Sequence, residues 1–93
     1  MKKIFVLIFL LNFSFLFGQK YQVENVVVYT WEDAIHANPD TIYGISFSKL
    51  KLTKLPDELK LFRRLKVLDV SKNKLAELPD FIDEFHFLEH LNL

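Results

Sequence analysis

The sequence predicts a small α/β protein built as a solenoid, in which short structural units stack on one another. Two observations support this prediction: a ten-residue segment occurs twice, and apolar residues recur in one register through both surrounding units. The copies, at 48–57 and 71–80, share the pattern S-K-x-K-L-x-x-L-P-D and are offset by 23 residues. A fixed period of this size is typical of proteins in which each repeat is one structural unit.

The apolar register defines the units. One spans 42–64, the next spans 65–87, and a partial third covers 88–93. The matched positions are all apolar: Ile42, Ile45, Phe47, Leu52, Leu55, Leu59 and Phe62; then Leu65, Leu68, Val70, Leu75, Leu78, Ile82 and Phe85; then Leu88, Leu91 and Leu93. Alternation at the start of each unit predicts a short strand with Ile45 and Phe47, or their equivalents, on its inner side. Neighbouring strands are expected to pair in parallel into one concave sheet.

A Leu-Pro pair in each unit predicts the return of the chain. Proline fixes its own φ and favours extended geometry in the residue before it, so Pro56 and Pro79 turn the chain onto the convex side. Asp57 and Asp80 follow directly, and acidic residues suit the start of a short helix or 3₁₀ turn.

The repeats resemble the leucine-rich repeat family in its 23-residue form, L-x-x-L-x-L-x-x-N-x-L-x-x-L-P, over residues 42–93. The resemblance implies a parallel-stranded concave face, helical or 3₁₀ turns on the convex face, and a role in binding proteins. Asn73 stands where the family places an asparagine, whose amide would hydrogen-bond the buried backbone of the turn. The first unit departs from the pattern, with Leu50 at this position.

The N-terminus predicts export. Lys2 and Lys3 precede an apolar stretch at 4–17 that is too short for a comfortable membrane span, and Gly18 offers a small residue for cleavage. We therefore interpret residues 1–18 as a signal peptide and expect a periplasmic, secreted or cell-surface protein. An uncleaved membrane anchor is the alternative interpretation.

Residues 19–41 are predicted to cap the first repeat. The run Val26 to Tyr29 is typical of a strand, and Thr30 with Asp33 suits a helix N-cap. A short helix through Ala37 is expected to end at Pro39. Tyr29 and Trp31 are expected to pack against the first repeat rather than stand exposed.

Composition limits the classes of partner. Lysine and arginine number 12 against 12 acidic residues, so removal of Lys2 and Lys3 leaves a slightly acidic chain with no electrostatic case for nucleic acid or an anionic membrane surface. The sequence has no cysteine, which excludes a disulfide framework within the chain.

Candidate chemistry is sparse. His86 and His90 are four residues apart, but the repeat register places them on different faces, so we expect no metal site. Asp69 and Ser71 with His90 form a polar group without an oxyanion motif, and a recognition surface is the favoured interpretation. We expect a protein that is not an enzyme and that has no cofactor.

The concave face is where a solenoid usually binds its partner. The predicted partner-binding residues are Ser46, Ser48, Val67, Asp69, Ser71, His90 and Asn92. The expected ligand is a protein or peptide. The alternative function is that of a structural or truncated N-terminal piece of a larger secreted or surface protein. Self-association through an unpaired C-terminal strand edge is also expected, because open edges are templates for pairing.

Export can be tested directly. N-terminal sequencing of the protein recovered from outside the cytoplasm is expected to give a start close to Gln19, because cleavage follows the small residue Gly18. Recovery of exported protein with Met1 intact would reject cleavage, and a strictly cytoplasmic product would reject export.

Overall fold

The computed structural model describes residues 5–6 and 21–93 as a small mixed α/β protein with one curled sheet and few helices, and the predicted α/β class is confirmed. Within these residues the strands are β1 (Phe5–Val6), β2 (Tyr21–Val23), β3 (Val26–Thr30), β4 (Gly44–Ser46), β5 (Val67–Asp69) and β6 (His90–Asn92), in the spatial order β1-β6-β5-β4-β3-β2. The helical segments are α1 (Trp31–Ala34) and 3₁₀ helices at Pro39–Thr41, Asp57–Leu61 and Asp80–Glu84.

Strands β4, β5 and β6 are parallel and hold equivalent positions of the predicted units. Ile45 lies beside Leu68, and Leu68 lies beside Leu91, so the inner residues form one row across the sheet. All three side chains are buried. The predicted inner row is therefore present in β4 and β5, and the partial third unit contributes β6 to it.

The two Leu-Pro pairs precede the longer 3₁₀ helices. Pro56 and Pro79 are extended, with ψ of 146° and 155°, and each helix begins at the aspartate that follows. Leu59 and Ile82 face inward from these helices. The predicted 3₁₀ turns after the two Leu-Pro pairs are present, and their geometry follows from the restricted φ of proline.

The core lies between the sheet and the 3₁₀ helices. It buries most of the apolar positions that define the repeat: Ile42, Ile45, Phe47, Leu55, Leu59, Phe62, Leu65, Leu68, Val70, Ile82, Phe85, Leu88 and Leu91. Leu52, Leu75 and Leu78 are partly buried against this cluster, whereas Leu93 is 59% exposed. The period in the sequence thus marks the residues that fill the interior.

The segment before the first unit packs as predicted but is divided differently. The Thr30 side chain accepts a hydrogen bond from the Asp33 amide at 3.1 Å, which caps α1. The α-helix ends at Ala34, short of the predicted Ala37, and Pro39 begins a 3₁₀ helix. Proline suits a first helical position because its fixed φ is helical and its missing N–H would have no partner there.

Trp31 joins this segment to the core. Its ring centroid lies 4.9 Å from that of Phe47 and 5.6 Å from that of Phe62, in tilted and edge-on arrangements. Tyr29 also packs against the main cluster. The prediction that both aromatic residues pack against the first repeat is confirmed.

The sequence did not predict β2 or its hairpin with β3. Glu24 and Asn25 connect the two antiparallel strands with φ of 50° and 72°. Two successive left-handed residues form the tight turn that matches the twist of a hairpin, and asparagine tolerates this conformation well. Asn25 between two valine-containing strands was the available signal.

At the β6 edge of the sheet, β6 pairs with the two-residue strand β1. Phe5 lies opposite His90 and Val6 opposite Leu91, so β1 pairs with β6 in parallel. Because β1 lies within the predicted signal peptide, the expectation of self-association applies to residues 19–93, in which this partner is absent, and it stays a prediction. The remainder of the predicted signal peptide, at 1–4 and 7–18, lies outside the described residues.

A membrane-spanning helix would need about 20 apolar residues. Among residues 5–6 and 21–93, no helix combines the length and apolar character needed to cross a membrane.

The Asn73 side chain links the turns of the two units. Its Nδ2 donates to the carbonyl oxygens of Phe47 and Val70 at 2.9 and 3.1 Å, with Ser71 O at 3.2 Å. Its Oδ1 accepts from the amides of Leu50 and Leu52, each at 3.0 Å. The first unit therefore needs no asparagine of its own at position 50, since Asn73 satisfies that turn from the neighbouring unit.

Replacement of Asn73 by alanine is expected to lower the free energy of unfolding by about 1–3 kcal/mol, because backbone groups of two turns lose their partners. Denaturant unfolding of both proteins measures this change. Leu50→Asn is the control, since Leu50 is 48% exposed and its substitution is expected to have a much smaller effect. Equal stability of Asn73→Ala and the parent chain would contradict this structural role.

Candidate functional site

The predicted partner-binding residues lie together on one face of the sheet, which was predicted to be concave and is called the concave face here. The register places Gly44 beside Val67 and Val67 beside His90, while Ser46 lies beside Asp69 and Asp69 beside Asn92. These positions alternate with the inward row of Ile45, Leu68 and Leu91, so they belong to the opposite side of the sheet.

Most of this face is not accessible. Val67, Asp69, His90 and Asn92 are buried, and only Ser46, Ser48 and Ser71 are half-buried. The expectation of an open recognition surface is therefore wrong for the four buried residues. The β2–β3 hairpin curls over the concave face, where its side chains contact Val67, Asp69 and His90.

An apolar contact holds the hairpin in place. Val23 and Val28 form a second buried cluster with Val67, separate from the main core. The chain reaches this position by passing close to Gly44, where an added Cβ atom would lie 2.8 Å from Val27 O and 3.0 Å from Val28 Cγ2. A side chain at position 44 would displace the backbone of β3, so glycine is required for this close approach.

Polar contacts continue the attachment along β5. The Tyr21 hydroxyl donates to Asp69 Oδ2 at 2.8 Å. Asp69 Oδ1 accepts from the Ser71 amide at 3.0 Å and from the Ser71 hydroxyl at 2.7 Å. Three donors therefore compensate the burial of the Asp69 carboxylate, as a buried charge requires.

The environment of Tyr21 strongly disfavours its ionised form. Burial raises the pKa of the Tyr21 phenol well above its ordinary value, and the nearby Asp69 carboxylate raises it further through repulsion and hydrogen bonding. The pKa shift follows because a phenolate here would lose hydration and face a second negative charge.

The geometry does not form a Ser–His pair. The Ser71 hydroxyl has one proton, which it donates to Asp69, while His90 Nε2 lies 3.1 Å from Glu24 Oε1. A nucleophilic serine needs its proton directed to a base such as histidine. The three residues considered from the sequence, Asp69, Ser71 and His90, are thus close in register but differently engaged.

His86 and His90 lie in different surroundings. His86 is exposed and lines a groove of about 400 Å³ beside the 3₁₀ helices, together with Lys60, Arg63, Phe81, Glu84, Phe85 and Phe87. His90 faces the hairpin, next to Glu24 and Glu89. Sequence reasoning missed the latter cluster because Glu24 and His90 are 66 residues apart and the hairpin that joins them was not predicted.

The accessible part of the concave face lies at its margin, where the chain leaves β4 and β5. The hydroxyl oxygens of Ser48 and Ser71 lie 3.3 Å apart, and Ser46 Oγ accepts from the Ser48 amide at 3.1 Å. Lys49 and Lys72 follow these serines in exposed left-handed turns, with φ of 64° and 59°. We call Ser46, Ser48, Lys49, Ser71 and Lys72 the serine–lysine margin.

Comparison of the chain with models of protein families, with curated proteins and with solved structures gave no match.

The Tyr21–Asp69 contact predicts a loss of stability at alkaline pH. The raised pKa means that the folded chain retains the Tyr21 proton where the unfolded chain has lost it. This contribution is complete below about pH 10, the ordinary tyrosine value, and is lost as the pH rises further. Denaturant unfolding at a series of pH values from about 8 to 11 would measure it.

Tyr21→Phe is expected to be less stable at neutral pH by about 1–3 kcal/mol, because Asp69 loses a donor. Its stability is also expected to fall less steeply above pH 10, since phenylalanine cannot ionise. Tyr43→Phe is the control because Tyr43 is exposed, and it should retain the alkaline loss of the parent chain. Parallel pH curves for Tyr21→Phe and the parent would contradict the assignment.

Proposed function

We propose that this protein is an exported leucine-rich repeat module that binds protein partners and has no catalysis of its own. The proposed solenoid is supported by parallel strands β4, β5 and β6 at a constant spacing in the chain, with a 3₁₀ helix between successive strands. Burial of the repeat positions and the hydrogen bonds of Asn73 across two turns also support it. Export is inferred from the basic and apolar residues of 1–18.

The single observation that carries the binding proposal is the serine–lysine margin. Ser48 and Ser71 occupy equivalent positions of two units and place their hydroxyl groups 3.3 Å apart. Exposed Lys49 and Lys72 follow them, so the same hydroxyl–ammonium pair occurs twice along the surface. The hydroxyl groups are engaged with each other and with Asp69, so the two exposed ammonium groups are the donors that suit the carboxylate and carbonyl oxygens of a polar, acidic protein segment.

The hairpin reduces the area available to such a partner. Because β2 and β3 already occupy the centre of the concave face, the proposed partner contacts the margin rather than the buried residues Val67, Asp69, His90 and Asn92. A margin of this kind provides specificity and association rate more than a large affinity. We therefore propose a moderate, salt-sensitive interaction.

Site-specific photocrosslinking tests the proposal. A photoreactive residue at exposed position 74, beside the margin, is expected to capture a protein partner in the compartment where the chain accumulates. In the same background, Lys49→Glu and Lys72→Glu are each expected to reduce the yield by about twofold to fivefold, the range for exposed charge pairs.

Two controls make the result specific. A photoreactive residue at exposed position 83, on the 3₁₀ helix Asp80–Glu84, should not capture the same protein. Lys60→Glu, on the 3₁₀ helix Asp57–Leu61, should leave capture at position 74 unchanged. Equal capture at positions 74 and 83, or insensitivity to Lys49→Glu and Lys72→Glu, would contradict binding at the margin and favour a structural role.

A further inference from the structure

A mixed carboxylate–imidazole cluster lies where the hairpin meets β6. Glu24 is in the hairpin turn, Glu89 directly precedes β6, and His90 begins it. One potential ligand atom from each residue lies within 4.8 Å of the other two, and His90 Nε2 is 3.1 Å from Glu24 Oε1. The cluster is distinct from the serine–lysine margin and from the Tyr21–Asp69 contact.

We propose that Glu24, Glu89 and His90 bind a divalent transition metal, for which zinc is the best match. An imidazole nitrogen and two carboxylate oxygens form a donor set that zinc accepts, with ligand distances of about 2.0–2.2 Å. Ligands of a tetrahedral ion at that distance are about 3.4 Å apart, close to the observed separation of His90 and Glu24. Three protein ligands leave the fourth position for water.

The three side chains differ in exposure in a way that suits metal binding. His90 is 5% exposed, so its ring has a fixed position, whereas Glu24 and Glu89 are exposed and can adjust their side chains without disturbing the core. The separations up to 4.8 Å can therefore shorten through rotation of the two carboxylates. A fixed imidazole with two adjustable carboxylates allows the ligand geometry to close around an ion.

The backbone explains why two consecutive residues reach one site. The amides of Glu89 and His90 both donate to Lys66 O, at 2.8 and 3.0 Å. A shared acceptor means that the chain departs from regular strand alternation, which would otherwise direct adjacent side chains to opposite faces. Glu24 belongs to the hairpin at the opposite edge of the sheet, and it reaches the cluster because Val23 and Val28 hold the hairpin against Val67.

The proposed ion would connect two parts of the chain that are far apart in sequence. It would join the β2–β3 hairpin to β6 and so hold the hairpin against the concave face. Because the three ligands meet only in the folded chain, metal binding would stabilise the native state and raise Tm.

The test uses the full chain after removal of metals with a chelator and extensive dialysis. Calorimetric titration with zinc chloride is expected to show one ion per chain, and Tm is expected to rise with zinc concentration. Magnesium chloride is the comparison salt, since Mg²⁺ prefers an octahedral oxygen site and should not compete effectively. Co²⁺ should give visible absorption of a low-coordinate site.

Isosteric variants identify the ligands. Glu24→Gln and Glu89→Gln preserve the size of the side chain and one acceptor oxygen but remove the charge, and each is expected to weaken zinc binding by about tenfold or more. His90→Ala should abolish binding, but its lost packing also affects folding, so the glutamine variants decide the result. The matched controls are His86→Ala and Glu84→Gln, exposed residues outside the cluster, which should bind zinc as the parent does.

The proposal would be overturned by three results. One is the absence of zinc binding to the parent chain, which would leave an ordinary His90–Glu24 pair. Another is unchanged affinity in both Glu24→Gln and Glu89→Gln. The last is an equal loss in His86→Ala, which would indicate adventitious binding to surface histidines.

Discussion

The structure depends on satisfying the backbone of the turns that follow very short strands. β4, β5 and β6 each contain three residues, so sheet pairing provides few hydrogen bonds and much of each unit is irregular. Buried backbone groups without partners are costly, and Asn73 supplies partners in two successive turns. With those groups satisfied, the apolar side chains can remain in a common register and fill one core.

The periodic part of the fold was predictable because one physical cause acts at every period. Ile45, Leu68 and Leu91 recur in the sequence and lie side by side in the sheet, since each unit buries its inner residue against the next. Pro56 and Pro79 likewise precede 3₁₀ helices, because their ring geometry constrains the local chain independently of distant contacts. Structural constraints that are local, or that recur with the repeat, can therefore be predicted from a single sequence.

The β2–β3 hairpin, which lies over the concave face, was not predictable in the same way. β2 has only three residues, and its importance comes from contacts with residues far along the chain, such as Tyr21 with Asp69. The repeat pattern identified which residues share the concave face but carried no information about what lies on it. The cluster of Glu24, Glu89 and His90 was missed for this reason, since no spacing in the sequence relates its members.

Gly44 has a consequence for how such a chain can change in length. In the sheet register, the positions equivalent to Gly44 are Val67 and His90, both of which carry side chains where β3 requires none. β3 can therefore pair only beside the strand of the first unit, and the hairpin cannot shift by one strand. Duplication of the segment 65–87 during evolution would lengthen the array without creating a second docking position for the hairpin. Duplication of 42–64 would copy the glycine and place two competing docking positions in one chain.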